Sequence, residues 1–594
     1  MILTLLGLII ILIPFLLIFR FKNHVLGFVY IFGSIITLHL CVAFLTQFFH
    51  IFLSPVVVII HSIIALVTLY ILRYKSPNIS FKLNFNWFAI FSFLIIIFQL
   101  WSVHFLYTGT VSIIGNYKTV SHESYPYPYF SDEWIGVSFS NYSINNNALP
   151  IVNPLVENNK YNNFPNIFIF FFSLISEFFL VLNISPLFGY IYFSIVTGII
   201  ICLLIFILLR QLKVSMFASL LATLCIPYIV NGLNLPGIWY LLPFIGGIIL
   251  FLLNLIGLCN NRHIFALIMS ILSLMLYPPM VVFVIPTYIS YLIFNNELKI
   301  SNKIKILFIS LISLLLIIGI IIYSQVNNIN VLLNIFISSI WRLNLDGGIP
   351  DFYIWNVIPA ILLPVILIGL TRIFNKKYII ILVPIIIGII LWIFYTQSIF
   401  YFIIDYARVV VITSILLMIL VGFGFDKIFK NILSKYSSLI NKNIILLIKL
   451  FMVFMFLIFS FSYTNSLSWK KLILRISATN YKYSVDPSAP ASRFLTNEDI
   501  LLFNFSKQRF LAPPWKGLAI GVATNNYPLE SKSSIITNTF LSYNEFMSKS
   551  CEDKFNDIKK NRIKYIYSSP LYCDNLLEIG QSSEGLHLYK VNNK

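Results

Sequence analysis

Charge is what this chain has least of. Only 10% of its residues are charged and 59% are hydrophobic, with mean hydropathy +0.90, whereas a soluble domain carries about 25% charged residues. That shortage excludes a water-soluble globular protein and implies a polytopic membrane protein. Acids are scarcer than bases, 21 against 40. The resulting formal charge of +19 does not call for a nucleic-acid partner, because basic residues of membrane proteins collect in cytoplasmic loops. Cysteine is also rare. Cys41, Cys202, Cys225 and Cys259 lie in or beside apolar segments, where Cys behaves as a small hydrophobe. No Cys/His spacing resembles a zinc site, so no metal ligands are expected from spacing. Cys551 and Cys573 lie in a polar tail, and a tail outside the cytoplasm would allow a disulfide between them. The apolar Met1–Phe19 has neither a basic leader nor a small-residue cleavage site, so it is expected to be a retained span. Solenoid repeats are missing as well.

What is present is a succession of apolar segments near the roughly 20 residues needed to cross a bilayer. Beginning with Met1–Phe19, Val25–Phe49, Ile51–Leu72 and Trp87–Tyr107, and ending with Val409–Phe425 and Ile444–Phe461, they predict about 14 spans. Placing the Arg20–His24 loop inside gathers most Lys and Arg inside. Lys118, Lys160, Arg342 and Arg408 are left outside before the tail, the asymmetry the positive-inside rule requires. That parity needs Phe164–Leu182 to be re-entrant or interfacial rather than spanning. Glu177 within this segment would be costly in lipid and is expected to face a cavity or a partner. Ile264–Phe294 breaks at Tyr277-Pro278-Pro279, predicting two short helices that line a cavity or a thinned region.

Four regions follow: N-terminal transmembrane helices (1–107), an extracytoplasmic loop with the re-entrant or interfacial segment (108–186), a transmembrane core (187–462), and a small extracytoplasmic α/β domain (463–594). In the last, "DILLFNF", "GLAIGVAT", "SIITN", "IKYIYSS" and "LHLYKV" read as strands, and "YNEFMSKSCEDKFNDIKKN" as helix. The run "RFLAPPWKGLAIG", with Arg509, Trp515 and Lys516, reads as strand-turn-strand core, with a role in acceptor choice left open.

The outer loops hold the acids Glu123, Asp132, Glu133, Glu157, Asp346, Asp351 and Asp405. Most are expected simply to be wet. Asp132 and Glu133 differ by context. They follow a Tyr/Pro-rich approach and open "WIGVSFSNYSI", where Trp134, Val137, Phe139, Tyr142 and Ile144 fall near helical spacing. This predicts a short helix lying on the membrane surface, for which two acids in the first turn are also good dipole chemistry.

"DEW" ahead of that helix, then "LPIVNP" and a Phe-Pro opening an apolar segment, resembles the first large extracytoplasmic loop of polytopic GT-C-fold glycosyltransferases. These include the dolichyl-phosphate-mannose protein mannosyltransferases and the aminoarabinose transferases of lipid A. The "YPP" break, and "YARVVVITSILLMILVGFG" with Arg408 opening a late span, extend the resemblance. It departs in having three extra spans before the loop and in lacking the Trp-Trp-Asp signature of oligosaccharyltransferase subunits. It implies inverting transfer of a single sugar from a polyprenyl-phosphate donor to an acceptor hydroxyl of a glycan, lipid or protein, outside a plasma membrane crossed many times. Asp132 would be the general base, with Glu133 supporting it. Arg342 and Arg408 would bind the donor phosphate, each equally able to pair structurally with Asp346 or Asp351 and with Asp405. His122 and Lys160 are weaker accessory candidates. No cofactor is firmly implied, and a divalent metal is left open. The rival readings are a transporter or flippase, against which the missing internal repeats count, and an O-antigen-type polymerase.

Overall fold

The computed structural model describes residues 2–74, 86–105, 107–113, 116–123, 126–128, 131–157, 166–229, 237–294, 342–343, 357, 362–373, 378–398, 400–401, 404–436, 446–455, 495–531 and 541–592. Within them the chain opens with α1 (Ile2–Leu12), which tightens into a 3-10 helix over Ile13–Arg20, then α2 (His24–Phe48), α3 (Ser54–Tyr74) and α4 (Trp87–Phe105). A hairpin of β1 (Tyr107–Ile113) and β2 (Asn116–Glu123) leads to α5 (Ser131–Asn146), α6 (Ile169–Leu182), α7 (Pro186–Gln211), α8 (Met216–Leu224), α9 (Pro243–Cys259), α10 (His263–Leu276) and α11 (Val281–Phe294). The short strand β3 (Arg342–Leu343), α12 (Leu363–Ile373), α13 (Ile379–Gln397), β4 (Phe400–Tyr401), α14 (Tyr406–Tyr436) and α15 (Leu446–Met455) complete the helical part. Among the described residues six helices are long and apolar enough to cross a membrane, and the rest of the apolar helices are shorter. The chain is a multi-pass membrane protein. The expected span Ile306–Ser324 lies outside the described residues, as do residues 354–356 and 358–361 of the expected span Ile354–Leu370.

Helix α14 runs through the centre of the bundle, with 94% of its most apolar stretch buried. Small residues let α12 lie directly on it. A Cβ at Gly369 would stand 2.1 Å from the Leu420 carbonyl oxygen, and one at Gly424 would stand 2.0 Å from that of Val365. Such close backbone approach is how membrane helices gain packing where lipid removes the hydrophobic drive. Helices α4 and α7 run antiparallel, since Phe105 meets Tyr192 and Phe93 meets Phe206.

Helix α6 has 14 residues, about 21 Å of helix against a hydrocarbon core of about 30 Å. Gln47 donates to the Ser173 carbonyl, and Val181 packs with Phe52 and Val57. Helix α6 thus packs along the hairpin of α2 and α3, from His39 to the turn at Phe52. Its Glu177 has its partners: His39 at 2.7 Å and His61, all three buried.

From Leu495 onward the chain forms α16 (Asn497–Leu502), β5 (Arg509–Leu511), α17 (Pro514–Thr524), β6 (Tyr527–Pro528), α18 (Tyr543–Ser548), α19 (Cys551–Asn561), β7 (Tyr565–Ser568), β8 (Leu576–Gln581) and β9 (His587–Val591). The five strands make one mixed sheet in the order β6-β5-β7-β9-β8. Two expected strands are helices. The opening of "DILLFNF" belongs to α16 because Thr496 and Asp499 form a reciprocal capping box. "GLAIGVAT" belongs to α17, where Pro514 at the first turn pre-sets the backbone. Gly517 and Gly521, one turn apart, let that helix settle against Glu530 and Pro528. "SIITN" lies outside the described residues. Cys551 and Cys573 are joined by a disulfide with Cα atoms 5.7 Å apart.

Candidate functional site

Helix α5 carries Asp132 and Glu133 in its first turn, where the helix dipole favours negative charge. It is not a surface helix. Trp134 and Val137 are wholly buried, and so are Ser138, Ser140 and Ser143 on its more polar side. The apolar spacing correctly marks a helix, but small hydroxyl side chains leave its other face free to be covered as well. One neighbour is α6, through Phe139 stacked on Phe172 at 4.9 Å. Another is α7, which packs so tightly that a Cβ at Gly136 would lie 2.0 Å from the Tyr190 hydroxyl. The third is α17 of the C-terminal sheet domain. Tyr127 donating to Asn497 at 2.5 Å and the ion pair of Arg509 with Glu157 tie that domain to the loops around α5.

The two acids separate. Glu133 is wholly buried, and its carboxylate accepts from Ser194 Oγ at 2.7 Å and from the Leu241 amide at 3.3 Å. It anchors α5 to α7 and the approach to α9 rather than facing open space. Asp132 stays one-third exposed, with Oδ2 3.9 Å from Nη2 of Arg408, which is 27% exposed. Residues far apart in sequence thus meet at one point.

Arg408 is held there by its own helix. Asp405 caps α14: its Oδ1 accepts from the Arg408 amide at 3.0 Å, satisfying an otherwise orphaned N–H. Its Oδ2 pairs with Arg408 Nη1. The guanidinium also sits over the buried ring of Tyr277, 6.0 Å from its centroid. Tyr277 occupies the break ahead of Pro278, with Phe168 stacked on its ring at 5.8 Å. Its part in the site was not read from the sequence, where "YPP" marked only an interruption, because the ring meets Arg408 only through the fold.

The other candidates are placed less fully. Strand β3 pairs with β4 so that Arg342 is opposite Tyr401, which brings its backbone to the segment just before Asp405. His122 lies in β2. Lys160, Asp346 and Asp351 lie outside the described residues. In the C-terminal domain Lys516 is buried between Asp499 and Glu584, each at 2.6 Å. It is therefore a core residue, in a helix and not in the expected strand-turn-strand.

No family model matches the chain, and no curated protein does. Among solved structures, the chain is similar to the oligosaccharyltransferase of Archaeoglobus fulgidus in its apo form, at 12% identity, covering 82% of this chain and 70% of that one with a TM-score of 0.44. The same enzyme tethered to an acceptor peptide containing the NVT sequon matches at 10% identity, with 81% and 69% covered and a TM-score of 0.45.

Proposed function

We propose that this chain is a membrane glycosyltransferase of the GT-C type that moves one sugar from a polyprenyl-phosphate donor to an acceptor hydroxyl, on the extracytoplasmic side of the plasma membrane. The observation that carries the reading is the meeting of Asp132 with Arg408 over the Tyr277 ring. One partially exposed carboxylate beside one arginine supplies a base and an anion clamp, which this reaction needs together. The acceptor oxygen gives its proton to Asp132 and forms a bond to the anomeric carbon. The bond from that carbon to the lipid phosphate breaks from the opposite face, and its electron pair leaves on the phosphate. Arg408 turns from Asp132 to the departing phosphate, for which its planar fork is suited. Glu133 positions Asp132 by locking α5 to α7.

A doubly charged phosphate arriving beside one arginine calls for a second cation. Arg342 is the protein group we assign to this. A divalent ion, if one is used, would be held by Asp405 together with substrate phosphate, since Mg2+ commonly takes only one or two carboxylates there, and it would supply positive charge to the leaving group. His122, Lys160, Asp346 and Asp351 remain accessory candidates for acceptor or donor contacts.

The test is transfer in proteoliposomes from a panel of polyprenyl-phosphate monosaccharides to glycan, lipid and peptide alcohols. Asp132→Asn should lower turnover by about 10²- to 10⁴-fold while donor binding and thermal stability persist. Turnover unchanged in that variant, or surface glycans and lipid-linked sugars unchanged in cells lacking the gene, would reject the reading.

A further inference from the structure

We propose that His39, His61 and Glu177 form a binding site for a divalent metal ion of the zinc class, which clamps α2 and α3 to α6. The site lies apart from Asp132 and Arg408 and does not depend on the function proposed above.

The three side chains come from three helices and are all buried. His39 Nδ1 lies 2.7 Å from Glu177 Oε2, and His61 Nε2 contacts Oε1. One ligand atom from each residue falls within 4.8 Å of the others, and among the described residues this is the one group of His, Cys, Asp and Glu so arranged. The imidazoles stack at 4.2 Å between centroids, and the Phe178 ring lies on His39 at 4.5 Å. Two imidazoles and one carboxylate are a familiar zinc donor set, with bonds of about 2.0–2.2 Å. Seating an ion needs its donors to stand about 3.3 Å apart in a tetrahedral site, so the His39–Glu177 contact opens by only a fraction of an ångström. The Phe178 ring and the surrounding apolar helices raise the cost of leaving the carboxylate without a cation, and a single water would complete the tetrahedron as the fourth donor.

Binding exchanges protons for the ion. Both imidazoles must be neutral and the carboxylate ionised to ligate the ion, so any proton held on those atoms is released and the loaded site carries a single positive charge. The mechanical consequence is a cross-link: the hairpin of α2 and α3 is tied to the helix that leads out of the Asp132 loop. No repeat or short spacing announces this set, because each donor comes from a different helix.

The experiment uses the full chain purified in detergent without a metal-affinity step. Elemental analysis after incubation with Zn2+ and desalting should find about one ion per chain. Substitution by Co2+ should give the visible absorption of a tetrahedral nitrogen/oxygen site. His39→Ala, His61→Ala and the isosteric Glu177→Gln should each lose both signals and the Zn2+-dependent rise in Tm. His50→Ala, at an exposed turn residue, should keep them. Size-exclusion profiles of Glu177→Gln separate loss of metal from loss of fold. Wild-type chain that takes up no Zn2+ and shows no change in Tm, or a folded Glu177→Gln that keeps the ion, overturns the proposal and leaves a proton-bridged cluster.

Discussion

Arg408 answers to three groups: the carboxylate that caps its helix, the carboxylate on α5 and the face of Tyr277. Its substitutions should separate these roles. Arg408→Lys keeps the charge but loses the planar fork, and transfer should fall about 10²-fold with little change in Tm. At Asp405 the cap and the ion pair can be split. Asp405→Asn keeps an acceptor for the Arg408 amide, whereas Asp405→Ala removes it and should cost about 1 kcal/mol more in thermal unfolding. Equal losses in the two variants would mean that the ion pair, not the cap, matters for the fold. Asp132 and Arg408 could both be chosen from sequence because each is a charge in the first turn of a helix that continues into an apolar pattern. The burial of Glu133 could not, since neighbours in a helix share their sequence context while pointing in different directions.

At the scale of elements, the contact between α12 and α14 rests on glycines that meet a carbonyl where any side chain would collide. Gly424→Val puts two methyl groups against the Val365 carbonyl, and neither backbone can yield without moving its helix. The expected cost is about 1–3 kcal/mol or more, read as a lower Tm in detergent. Because α14 also carries Arg408, activity should fall with it. Unchanged stability would mean that the two helices do not touch as described. Helices were the most legible elements here: in lipid each must satisfy its own backbone, so a long apolar run already implies one. Residues 514–524 misled because small and β-branched residues alternate there, and only the docking of Gly517 and Gly521 against the next strand reveals the helical period.

At the scale of the molecule, the C-terminal domain roofs α5 while holding its own buried charge network. Lys516 lies between Asp499 and Glu584, and Tyr567 donates to Asp499 at 2.6 Å. Lys516→Met would leave two buried carboxylates uncompensated, at a cost of about 3–5 kcal/mol, measurable as early loss of the domain's unfolding transition. Burial, and then the Asp499 charge, push the Tyr567 hydroxyl well above its ordinary value. A group whose pKa is raised on folding stabilises fully below its unfolded pKa, and that stability is lost as pH rises through the folded one. The domain should therefore weaken as pH climbs beyond about 10, and Tyr567→Phe should flatten that alkaline slope in a pH series of melts. An identical slope in the variant would exclude Tyr567 as its source.

Composition and hydropathy alone determined that this is a membrane protein of many helices, roughly where those helices lie, and that a polar region follows them, because lipid solvation acts on each short segment separately. Tertiary structure alone decided which polar groups meet. Asp132 faces Arg408, Glu133 is spent on Ser194 and the Leu241 amide, and Glu177 gathers His39 and His61. Those are pairings between distant helices, selected by packing and by the high cost of an uncompensated charge in an apolar interior, and no local periodicity encodes them.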